Sequence, residues 1–106
     1  MNLGNMMKQA KEMQARMAEA EKKIEALEVE GVSGGGMVKV FLNGKGVPKN
    51  FKIDPSVTTP EDVEMLEDLL VAAYNDGKKK ADEESQKEMA KVTGNMKLPP
   101  GMGLPF

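Results

Sequence analysis

The chain has 106 residues, a formal net charge of −2 and neither His, Cys nor Trp. That length makes a single domain, short of the size at which one chain comfortably buries most of its surface, so self-association would help it. The missing residue types remove the common metal ligands, the thiol nucleophile and the side chain that titrates near neutrality, and so argue against an enzyme and against a metal or other cofactor.

The first element is a long helix. Leu3, Met6, Ala10, Met13, Met17, Ala20, Ile24 and Leu27 follow one another at alternating spacings of three and four, the seam of a packed helix pair. The alanines make this seam narrow and the methionines make it adaptable, so it calls for a close partner helix within the same chain.

Strand signals follow at once. Glu28 to Ser33 alternates around Val29 and Gly31 and is expected as a first strand, connected through the glycines 34–36. Those glycines lack the Lys-Ser/Thr ending of a phosphate loop and lead into a strand, so a turn is their expected use and no nucleotide site is assigned. Val38, Val40 and Leu42 then share one strand face and Met37, Lys39 and Phe41 the other. Asn43-Gly44 is expected to make a tight hairpin turn with positive backbone angles, Gly46 loosens its exit, and the last strand is expected from about Val47 to Ile53.

Asp54-Pro55 stops the sheet, Thr59 is placed to cap a second helix, Pro60 suits its first position, and Glu61, Asp62 and Glu64 complement its positive end. Val63, Leu66, Leu69, Leu70, Ala73 and Tyr74 form a stripe sized to cover a small sheet. Beyond Gly77 only Ala81, Met89 and Val92 continue it among many charges. Both helices are therefore far too long for the sheet, and their outer parts are expected to run side by side, antiparallel, as arms. The last stretch, 94–106, is a Pro/Gly-rich tail whose Leu98-Pro99-Pro100-Gly101 cannot be helical. The longest apolar run in the chain is six residues, Leu69 to Tyr74, so no membrane partner is expected and the chain reads as a soluble cytoplasmic protein.

Charge points to function. Residues 1–23 carry Lys8, Lys11, Arg16, Lys22 and Lys23 against three acids, and residues 78–106 carry six lysines, Lys78, Lys79, Lys80, Lys87 and Lys91 among them, against four acids. The stretch between them has four lysines against ten acids. Positive charge thus sits on the arms, and a phosphate backbone needs it only locally, at the scale of a Debye length of roughly 8 Å.

Six ordered segments then carry a family resemblance: Met7-Lys8-Gln9-Ala10, Glu28-Val29-Glu30-Gly31, Gly36-Met37-Val38-Lys39-Val40 with Asn43-Gly44, Ile53-Asp54-Pro55-Ser56, Glu64-Met65-Leu66-Glu67-Asp68-Leu69 with Ala72-Ala73-Tyr74-Asn75-Asp76, and Leu98-Pro99-Pro100-Gly101. Across nearly its whole length the chain resembles the YbaB/EbfC family of bacterial nucleoid-associated proteins. The resemblance implies one α+β domain over residues 1–106, with a long N-terminal helix, a three-stranded antiparallel sheet and a long C-terminal helix. It further implies a homodimer with paired sheets and tweezer-like arms that binds double-stranded DNA at the nucleoid and takes no small-molecule substrate. No short DNA-reading motif defines the family, so the expected DNA contacts are the ten arm cations named above, chosen by charge position. The expected dimer contacts are Met37, Val38, Val40, Phe41 and Phe51, on the argument that a small sheet has two faces and one chain offers a single apolar helical stripe. The alternative is a protein-interaction or chaperone-like module whose methionine-lined arms hold an apolar segment of another protein.

Overall fold

A computed structural model of the chain describes residues 2–94, with backbone alone for 93 and 94. It runs α1 (Leu3–Ala26), β1 (Val29–Ser33), β2 (Val38–Leu42), β3 (Pro48–Ile53) and α2 (Val63–Gly94), with short 3-10 turns at Gly34–Gly36, Pro55–Val57 and Pro60–Asp62. The three strands form one antiparallel meander in the order β1-β2-β3. The α+β architecture is the one the periodicities predict. Apart from Gly94 the Pro/Gly tail lies outside the described residues.

The register assigns the faces. Val38 pairs with Ser33 and Ile53, Val40 with Gly31 and Phe51, and Leu42 with Val29, so these residues share one side of the sheet. On that side Val38, Val40, Leu42 and Ala73 are fully buried, with Leu66, Leu69, Leu70 and Tyr74 of α2 packed around them. The predicted stripe of α2 is therefore the core contact. It covers β1 and β2 and barely reaches β3, every residue of which is exposed.

Two glycines set the crossing of α2 over β1. A Cβ on Gly31 would run into the Ala73 carbonyl oxygen and stand 2.6 Å from the Gly77 nitrogen, and one on Gly77 would meet Leu42 Cδ1 at 2.6 Å. Helix and strand backbones touch here, which is why the helix tolerates Gly77 in its interior. Around this crossing, Ser33 Oγ donates to the Leu69 carbonyl at 2.6 Å, Val32 N–H donates to Asp76 Oδ2 at 3.0 Å, and Lys80 Nζ donates both to Asp76 Oδ2 at 2.9 Å and to the Glu30 carbonyl at 3.0 Å. Tyr74 adds a bond from its hydroxyl to the Gly46 carbonyl at 3.3 Å.

Several expectations change in detail. The hairpin is not a two-residue Asn-Gly turn: among the described residues no non-glycine has positive φ, and the left-handed residue of the hairpin loop is Gly46 at φ 83°. The loop spans Asn43 to Val47, with Asn43 Oδ1 accepting from Lys45 N–H at 2.9 Å and Val47 N–H at 3.1 Å while Gly46 N–H closes onto the Asn43 carbonyl. Gly44 is needed for a different reason. Its N–H donates to the Ile24 carbonyl at 2.9 Å, and a Cβ there would lie 2.5 Å from that oxygen, so the hairpin packs against the end of α1. Thr59 makes no backbone cap. Its hydroxyl donates to Asp62 Oδ2 at 2.8 Å, and a 3-10 turn separates it from α2. Val38 and Val40, expected in a dimer interface, are covered completely by the chain's own α2 and leave no surface for a partner.

Candidate nucleic-acid interface

Asn2 starts α1, its side chain accepting from Gly4 N–H at 3.0 Å, and 24 residues at about 1.5 Å each make an arm of roughly 36 Å. At 100° per residue, Lys8, Lys11 and Lys22 fall on the side of α1 opposite its apolar seam. Arg16 and Lys23 flank the seam and, with Glu19 and Ala20, line a shallow groove whose other wall is Glu88, Lys91 and Val92 of α2. The two helices thus lie antiparallel near residue 20 of one and residue 90 of the other.

The cations of the two arms differ in their surroundings. On α2, Lys78 pairs with Asp82, Lys80 with Asp76, Lys87 with Glu84 at 3.2 Å and Lys91 with Glu88 at 3.0 Å. Only Lys79 on that helix has no ion pair among the described residues. On α1, Lys8, Lys11, Arg16, Lys22 and Lys23 are all exposed, and among the described residues none of them has an ion-pair partner. An acid within 4 Å cancels most of a lysine's attraction for a phosphate beyond the Debye length, even where the exposed pair adds little to stability. Charge position in the sequence suggests two equal arms, and the geometry makes them unequal.

Lys80 has a further duty. Helical spacing groups it with Lys87 and Lys91 on one face outside the packing, yet its ammonium ties α2 to the β1 carbonyl of Glu30. Asp76 in this clamp is held below its ordinary carboxylate pKa, first by the Lys80 hydrogen bond and then by the Val32 N–H. At the hairpin, Lys45 is paired with Glu25 at 2.9 Å, which lowers the Glu25 pKa and raises that of Lys45 through their hydrogen bond.

On the sheet face away from α2, Lys39 pairs with Glu30 at 3.7 Å and the Lys52 ammonium stands 6.0 Å from the Phe41 ring centroid. Phe41 is half-buried there, beside Lys49, Asn50 and Glu28. Of the five residues expected at a dimer contact, Met37 is half-buried against the Gly34 turn, Phe41 lies under Lys52, and Phe51 is 39% exposed on the α2 side of β3. Sequence reasoning missed Ile53, which is 37% exposed beside Phe51 on the same face. Its signal was the period of two shared with Phe51.

The chain matches known proteins along nearly its whole length. The YbaB/EbfC DNA-binding family matches over residues 1–96. A nucleoid-associated protein of Rhodospirillum centenum is 60% identical over 105 residues, covering 99% of this chain and 98% of its own length. A nucleoid-associated protein of Rhodospirillum rubrum is 50% identical over the same shares. Among solved structures, an uncharacterized protein from Helicobacter pylori superposes with a TM-score of 0.72 at 33% identity, covering 86% of this chain and 95% of that one.

Proposed function

The chain belongs to the YbaB/EbfC DNA-binding family, and from that membership we propose a homodimer that grips double-stranded DNA at the nucleoid in the cytoplasm, chiefly through α1, and performs no catalysis. The observation that carries the choice of surface is that, among the described residues, Lys8, Lys11, Arg16, Lys22 and Lys23 have no ion-pair partner, whereas four of the lysines of α2 are paired with acids. The names of the curated relatives support the nucleoid setting. The chain has no aromatic residue on either arm that could stack on single-stranded bases, apart from Tyr74 at the sheet, so duplex is favoured and base edges go largely unread.

The test is fluorescence anisotropy of a labelled duplex. With about four phosphates neutralised per dimer, affinity falls roughly a hundredfold between 50 and 200 mM salt. Changing Lys8, Lys11 and Lys22 together to Gln weakens binding by at least about tenfold and flattens the salt slope by about one for each phosphate left without its cation, while Lys87→Gln with Lys91→Gln changes affinity by less than about threefold. The reverse ranking would move the DNA to α2, and displacement by a single-stranded competitor at equal nucleotide concentration would refute the duplex preference.

A further inference from the structure

Among the described residues the apolar seam of α1 is fully buried over its last third only, with Met13 half-buried. Ala20 and Ile24 are buried, whereas Leu3, Met6 and Met17 are 75%, 51% and 40% exposed, with Met7 beside them at 59%. Antiparallel α2 ends its described course at Gly94, less than one turn past the Lys91 and Val92 that face Arg16 and Ala20, and is heading towards the α1 N-terminus. Residues 95–106 of the chain follow from that point.

We propose that residues 98–106 lie along the exposed apolar stripe of α1 in the same chain, between Met17 and Leu3, and cover it. The reach is sufficient. Twelve residues at about 3.1 Å span roughly 37 Å, against about 20 Å along the helix from Arg16 to Leu3. The chemistry matches as well: residues 98–106 present Leu98, Met102, Leu104 and Phe106 without a single charged side chain. The seam's flanks over the exposed stretch are the uncharged Gln9 and Gln14, whereas Arg16, Glu21 and Lys23 flank the part that meets charged α2. Pro99, Pro100 and Pro105 restrict the segment beforehand, which lowers the entropy lost when an extended peptide docks. A second copy is the poorer occupant. It would lose translational freedom that a tethered segment keeps out of the balance. The stripe lies opposite Lys8, Lys11 and Lys22, so the covering segment leaves those cations open.

The chain's lack of cysteine makes the test clean. Met17→Cys paired with Leu98→Cys, and Met6→Cys paired with Leu104→Cys, are introduced into the full chain and oxidised mildly without DNA. Both pairs give intrachain disulfides in most molecules, whereas the crossed pair Met6→Cys with Leu98→Cys, displaced by about 16 Å along the helix, gives several-fold fewer. Disulfides between differently tagged copies, or no preference among the pairs, would overturn the proposal. A second measurement needs no cysteine: truncation after Lys97 speeds amide exchange over residues 3–17 by at least about tenfold while leaving β2 unchanged, and unaltered exchange in that helix would equally overturn it. Neither readout depends on DNA binding.

Discussion

Gly31 and Gly77 are where this fold is least forgiving. By helix propensity alone, Gly77→Ala in the interior of α2 would stabilise the chain by up to about 1 kcal/mol. The close approach reverses the sign, because the new methyl would press on fully buried Leu42 and on the Gly31 backbone at 3.2 Å. Gly31→Ala is worse, since the nearest atoms are backbone and cannot turn aside. We expect Gly31→Ala to destabilise by about 3 kcal/mol and lower the thermal midpoint by more than roughly 10 °C, and Gly77→Ala to destabilise by about 1 to 2 kcal/mol. Calorimetry decides it: a neutral Gly31→Ala would mean that helix and strand can separate without cost. Neither role was legible in the sequence, where Gly31 read as a strand residue and Gly77 as the point at which a stripe thins. A close approach between residues 46 positions apart leaves no local pattern, unlike the alternation of Val38, Val40 and Leu42.

Among the elements, the strands and both helices were legible because each has a one-face period: two along Val38 to Leu42, and three and four along Val63 to Tyr74. What joins them was not. The hairpin geometry turned on where α1 ends, since the Ile24 carbonyl occupies the space a side chain at position 44 would need. The clamp between α2 and β1 is another such joint, and it gives a pH prediction. The carboxylate of Asp76 is held below its ordinary pKa by Lys80 and the Val32 N–H, so its ionised form stabilises the folded chain at pH values above the unfolded carboxylate range, and that contribution is lost as pH falls through the depressed folded value. Asp76→Asn should lower the urea midpoint at pH 7, with the gap to the parent closing as pH falls below the ordinary carboxylate range. A gap that stays constant across that range would place the effect in packing. The same clamp explains why Lys80 is a poor probe of DNA contact: a variant there loosens the arm as well as removing a charge.

At the scale of the whole molecule, the chain extends 70 × 25 × 16 Å with a radius of gyration of 19.5 Å, against about 13 Å for a compact domain of this length. It exposes 7652 Å², where a compact monomer of this mass would expose roughly 5,800 Å². The excess lies partly in the arms and partly at β3, where α2 stops short and leaves Phe51 and Ile53 in water on the otherwise apolar face. Pro48, Lys49 and Lys52 blunt that strand as an edge for open-ended pairing, which points to the Phe51 and Ile53 face as the surface a second copy covers. From the sequence alone a dimer is expected to use both sheet faces. Geometry withdraws Val38 and Val40, already enclosed, and concentrates the expectation on β3. Sedimentation at micromolar concentration should therefore give about twice the 11.5 kDa chain mass, and Phe51→Ser with Ile53→Ser should give the single mass while keeping the helical circular dichroism of the parent. Duplex affinity of that variant should fall by at least about tenfold although no cation is removed, because two arms joined through one sheet hold the DNA at an effective concentration a single arm lacks. A parent that sediments as a clean monomer, or a monomeric variant that binds duplex as tightly as the parent, would remove the second arm from the mechanism and leave α1 of one chain to bind alone.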